Sequence, residues 1–126
     1  MAQRILILDG AMGTEIQKHK LSENDFRGNL YPEWHTELKG NNDLLTLTKP
    51  DLIKNIHQEF VDAGSDIIET NTFNSNKTSL SDYGLEDISY KLNYEGAKLA
   101  KEVASNAQNQ VLVAGVIGPT NRTASL

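Results

Sequence analysis

The chain has 126 residues, 38% of them hydrophobic and 23% charged, which is the usual size of one globular domain with one core. A net charge of −5 and a pI near 5.1, with no cluster of Lys and Arg to oppose them, argue against nucleic acid or anionic lipid as a partner. The absence of cysteine excludes disulfides, thiolate nucleophiles and thiolate metal sites from these residues.

Residues 5–8 form a short apolar run ended by Asp9-Gly10, too short for a helix and suited to a strand buried on both faces. It is also too short for the apolar core of a secretory signal, and no run approaches the ~20 residues of a membrane span, so a cytosolic location is expected. A helical piece is predicted over 13–20, and residues 24–40, which lack a clear period, are read as a long loop.

In 48–64, Ile53, Ile56, Phe60 and Ala63 recur at three- and four-residue spacing, which predicts an amphipathic helix. Thr48 is the expected N-cap, with Asp51 returning the capping-box contact, Pro50 in the first turn and Gly64 at the exit. A second strand is predicted at 66–70 and a short helical piece at 76–83. A long helix follows over 85–108, carrying Ile88, Leu92, Leu99, Ala100 and Val103, and a third strand is predicted at 111–117. Strand, helix, strand, helix, strand implies α/β architecture with parallel strands and right-handed crossovers, as in a (β/α)8 barrel or a doubly wound sheet. In both, the segments after the strands, 9–14, 70–76 and 118–125, share the ligand face.

Asp9-Gly10-Ala11-Met12-Gly13-Thr14 puts a carboxylate at a strand end, followed by small residues whose N–H groups can converge on an anion. The pair suits the zwitterionic head of an amino acid, and an ordinary strand-to-helix turn would also use it. Glu69-Thr70-Asn71-Thr72-Phe73-Asn74-Ser75 can orient a ligand or cap the helix that follows. In Gly118-Pro119-Thr120-Asn121-Arg122-Thr123, Arg122 can pair with a carboxylate or stay solvated. His19, His35 and His57 lack metal-ligand spacing and read as structural or solvated. Trp34, with Tyr31 and Pro32, reads as a loop anchor.

These phrases, with Asp25-Phe26-Arg27-Gly28 and Lys39-Gly40-Asn41-Asn42-Asp43, stand in an order and spacing that resemble the start of cobalamin-dependent methionine synthases across nearly the whole chain. The resemblance implies that residues 1–126 are the first part, about three strands, of a TIM (β/α)8 barrel that binds homocysteine. Zinc activates the sulfur in that family, and methylcobalamin supplies the methyl group. It implies substrate-binding roles for Asp9 toward the amino group and for Gly10, Ala11 and Met12 toward the carboxylate. Thr70, Asn71, Thr72, Asn121 and Arg122 are implied to line the same pocket.

The family's zinc ligands are three cysteines on later strands, so no catalytic or metal-binding residue is expected here and the chain is read as a truncated, inactive piece. The remaining barrel and the cobalamin and folate domains are its implied partners. An unclosed barrel leaves strand edges and helix-facing surface open, which predicts self-association of the isolated chain. Two other readings stay open. One is part of a homocysteine methyltransferase using betaine or S-methylmethionine as donor, and the other is a non-catalytic binding fragment.

Overall fold

The structure is a computed structural model that describes residues 5–119. In chain order its helices are α1 (Met12–Gln17), α2 (Glu23–Arg27), α3 (Leu45–Thr48), α4 (Pro50–Asp62), α5 (Lys77–Ser81) and α6 (Ser89–Ser105). Its strands are β1 (Ile67–Glu69) and β2 (Leu112–Ala114), and 3-10 turns lie at Asn42–Leu44 and Glu86–Ile88.

Of these, α4 follows its apolar period most closely. Ile53, Ile56 and His57 are buried along one face, and Pro50 occupies the first turn, where its missing N–H has no helical partner to lose. Gly64 leaves the helix at φ 105°, a left-handed conformation that a side chain would strain, while its N–H bonds Val61 O at 3.0 Å. The start differs from the expected capping box. Thr48 is the last residue of α3, its hydroxyl bonds back to Leu44 O at 3.4 Å, and Lys49 takes the N-cap position with no side-chain cap. Thr48 is itself helical, so the non-helical N-cap conformation falls one residue later, on Lys49.

The expected loop at 24–40 begins instead with α2. Ser22 accepts from Asp25 N at 3.2 Å while Asp25 Oδ2 accepts from Ser22 N at 2.8 Å, a reciprocal capping box one methylene shorter than the Glu form. The rest of the loop is held by two side chains. Arg27 donates to Glu23 Oε2 (2.6 Å) and to the carbonyls of Trp34 (2.9 Å) and Thr36 (3.2 Å), and Glu23 accepts from Leu38 N (2.8 Å) and Lys39 N (2.7 Å). Burial pushes the Glu23 carboxyl upward, but those N–H groups and the guanidinium outweigh it, and it sits below its ordinary value. Trp34 anchors the loop as expected, through its indole N–H to Tyr83 O at 2.8 Å and an edge contact with Tyr31.

The sheet is parallel and small. Ile67 pairs with Leu112, Ile68 with Val113 and Glu69 with Ala114. Of the first apolar run only Leu8 joins, through a parallel bridge to Ile67, so β1 lies between the first run and β2. The ladder does not extend backward because Ile7 N donates to the Asp66 carboxylate at 2.8 Å rather than to a strand. At the other end β2 stops at Ala114, since the N–H and C=O of Val116 are taken by Thr70 and Thr72 side chains. The predicted long helix is likewise divided into the 3-10 turn at Glu86–Ile88 and α6.

The larger core cluster joins the long loop to the helices: Ile16, Phe26, Leu38, Leu44, Leu45, Ile53, Ile56, Leu80, Leu85, Leu92 and Leu99. A smaller one, Ile68, Ala100 and Val103, lies between β1 and α6. The protein is thus an α/β unit whose strands are few and whose helical and loop layer is dense. Among the described residues no helix is long and apolar enough to cross a membrane.

Candidate functional site

A cavity of about 450 Å³ opens where β1 ends. It is lined by Asp9 to Gly13, Gly40, Asn42, Asp43, Glu69 to Asn74 and Val116. The turn after the first apolar run and the segments after β1 and β2 therefore meet on one rim, as parallel strands require.

Asp9 is fixed at this rim by two hydrogen bonds to β1, one from its backbone and one to its side chain. Its N–H donates to Ile67 O at 3.0 Å, and its Oδ2 accepts from Glu69 N at 3.0 Å. Its Oδ1 is buried with no hydrogen-bond partner. Burial lifts this carboxyl from its ordinary 3.8 to about 6; the Glu69 N–H works against the shift, and the Glu69 carboxylate adds to it. An unpaired carboxylate oxygen in a half-buried setting gains most from a cation that brings its own N–H donors.

Gly10 and Ala11 are exposed at the cavity wall, and Met12 opens α1, so the first-turn N–H groups point out of the helix without intrahelical acceptors. Ammonium acceptor and N–H donors thus sit within one stretch of backbone, the arrangement that an α-amino acid head demands.

Thr70, Asn71 and Thr72 also line the cavity, but all three are buried, and the two hydroxyls and the Asn71 amide nitrogen are committed to the protein's own atoms. Thr72 Oγ1 donates to Val116 O at 2.8 Å, so the proton in its 2.7 Å contact with Thr70 Oγ1 comes from Thr70. Thr70 Oγ1 in turn accepts from Val116 N at 3.0 Å. Asn71 Nδ2 donates to Asn42 O (3.0 Å) and to Thr46 Oγ1 (3.3 Å). These three side chains tie the wall together. The room for Thr72 comes from Gly96 of α6, where a Cβ would stand 2.7 Å from Thr72 Cγ2. Asn121 and Arg122 lie outside the described residues.

Sequence reasoning passed over Asp43 and Glu69 as individual site residues. Asp43 is 3% exposed, and its Oδ2 accepts from Asn74 N at 2.7 Å and from Ser75 Oγ at 2.6 Å. Burial pushes its carboxyl up and these two donors pull it back only in part. Both residues stood in the quoted motifs, and what marks them is the meeting of segments 31 and 60 positions apart in the chain.

A zinc centre built on thiolates does not fit the residues present. The sequence contains no cysteine, and among the described residues no group of three or more His, Asp or Glu is placed to share a metal. His57, fully buried, has neither ring nitrogen hydrogen-bonded, and burial lowers its pKa to about 4, so it is a neutral core residue. His19 and His35 are exposed.

Comparison with known proteins shows the family. The family model for homocysteine S-methyltransferase matches residues 6–126. Two solved structures of the homocysteine methyltransferase MmuM from Escherichia coli, the metallated and the oxidized forms, are similar at 27% identity with TM-scores of 0.68 and 0.69. Each match covers 93% of this chain and 38% of that one, so the chain spans well under half the length of those proteins. The chain belongs to the homocysteine S-methyltransferase family.

Proposed function

We propose that this chain supplies the amino-acid head-group site of a homocysteine methyltransferase, and that its β/α units are the opening part of a TIM (β/α)8 barrel. The observation that carries the reading is the unpartnered, buried Oδ1 of Asp9, a residue that lines the strand-end cavity together with the small-residue turn 10–13. Asp9 takes the ammonium, and the N–H groups of Gly10, Ala11 and Met12 take the carboxylate. Thr70, Asn71 and Thr72 hold the wall in register, and the family resemblance assigns substrate-binding roles to Asn121 and Arg122 as well. Substrate sulfur then points away from the turn toward the open side of the cavity.

Sulfur activation needs a thiolate, because a free thiol is mostly protonated at neutral pH. In the family this is the work of zinc, whose cysteine ligands are not among these residues. The metallated form of MmuM supports a metal-using relative, and the extended loop carrying Asp43 and the phrase that opens at Glu69 favour cobalamin as methyl donor over betaine or S-methylmethionine. On this reading the chain binds substrate and depends on the rest of the barrel, and on the cobalamin and folate domains, for turnover.

Titration calorimetry with homocysteine and with methionine tests the proposal. Binding of both, abolished by Asp9→Ala, is expected. Affinity unchanged by Asp9→Ala would remove the turn from the site.

A further inference from the structure

Two of the cavity's walls come from distant parts of the chain, the 42–46 segment and the loop that follows β1. Two buried side chains cross between them. Asn71 reaches from the loop to Asn42 O and Thr46 Oγ1, and Asp43 reaches the other way to Asn74 N and Ser75 Oγ at 2.7 and 2.6 Å. The far side of the loop is gripped by α6, where Ser89 Oγ and Asn93 Nδ2 donate to Ser75 O at 2.9 and 2.8 Å. Of these ties only the Asp43 one places a carboxylate in the interior, 3% exposed and bordering the cavity.

Burying a carboxylate is costly unless its acceptor capacity is met, and an apolar residue could fill the same space at less cost. Two short donors on one oxygen fix both the backbone of Asn74 and the rotamer of Ser75, which no apolar contact would do. The Asn74 N–H is thereby committed to Asp43, beside the half-exposed Phe73 of the cavity lining.

We infer that Asp43 is a positioning residue for the head-group site: by accepting from Asn74 and Ser75 it locks the loop after β1 against the 42–46 segment, and ligand affinity depends on that lock. The inference rests on the function proposed above. It predicts that the acceptor oxygen, and not the negative charge, is what the site requires. An asparagine at this position keeps an sp² oxygen in place for both donors.

The test is calorimetric titration of the chain with L-methionine, using wild type, Asp9→Asn, Asp43→Ala, Asp43→Asn and Ser75→Ala, alongside the amide proton resonance of Asn74. Asp43→Ala is expected to weaken binding about tenfold and to shift the Asn74 amide upfield, while Asp43→Asn stays within about threefold of wild type and keeps the downfield amide. Ser75→Ala, which loses one donor, should fall between them. If Asp43→Ala does not fold, Asp43→Asn and Ser75→Ala decide. A full loss in Asp43→Asn, or an unchanged affinity in Ser75→Ala, would overturn the lock. Unchanged affinity in Asp43→Ala beside a loss in Asp9→Asn would also overturn it while leaving the site reading intact. No binding by wild type would remove both.

Discussion

The two layers of this protein are built to different standards. Leu38, Leu44, Leu45, Ile53 and Leu92 of the helix and loop layer are fully buried, whereas the first apolar run and β2 show Ile5 at 89%, Ile7 at 54% and Leu112 at 47% exposure. Side-chain ties concentrate on the first layer and on the strand-end rim, where Arg27, Glu23, Asp43, Asn71 and Thr72 each bridge separate segments. The cavity is therefore held from its loop side. Its geometry can persist while the sheet beneath it offers only three-residue strands.

Truncation separates the two layers most sharply. Leu92→Ala removes a fully buried side chain from the main cluster and should cost about 3 kcal/mol, whereas Leu112→Ala on the exposed strand should cost under about 1 kcal/mol. Urea melts of the two variants check this, and equal costs would erase the contrast.

His57 gives the next largest effect. Its folded pKa of about 4 lies below the ordinary 6.5, so the unfolded chain binds the extra proton first; the native state loses stability as pH falls from 6.5 through 4. The loss should be on the order of 2–3 kcal/mol and should vanish in His57→Leu, seen as a flatter pH dependence of melting.

Open apolar strand surface should drive the isolated chain to self-associate. Sedimentation velocity over a concentration series is expected to show species beyond monomer, reduced by Ile7→Lys on the exposed run. A monodisperse monomer at all concentrations would contradict the prediction.

Asp9 gives the smallest effect, opposite in sign to that of His57. Its pKa is raised from 3.8 to about 6, so ionisation is disfavoured in the folded state and stability falls as pH rises between those values. Asp9→Asn should therefore melt later than wild type above pH 6, by about 1 kcal/mol once solvent screening of a half-exposed group is allowed for.

Sequence alone made α4 and the strand-end rim readable for physical reasons. Apolar spacing and Pro50 announced α4, and Asp9-Gly10 announced the end of the first run. What stayed hidden depended on choices between competing partners. Thr48 could cap α4 or bond back to Leu44, and the second prevailed; Ile7 could enter a ladder or pair with the Asp66 carboxylate. Ser22 and Asp25 carried the capping pattern of α2, but no apolar period accompanied it to raise it above the surrounding loop. Thr70 and Thr72 were recognisable as rim residues, while the turning of their hydroxyls toward Val116 required the folded neighbour.

The central claim is that Asp9 accepts the ammonium of an amino acid, and a pH-resolved titration meets it head on. Homocysteine titrated into the wild-type chain near pH 7.5, where Asp9 is ionised, should give binding heat that disappears near pH 5, where a group titrating at about 6 is mostly protonated. Binding of equal strength at both pH values would contradict the account.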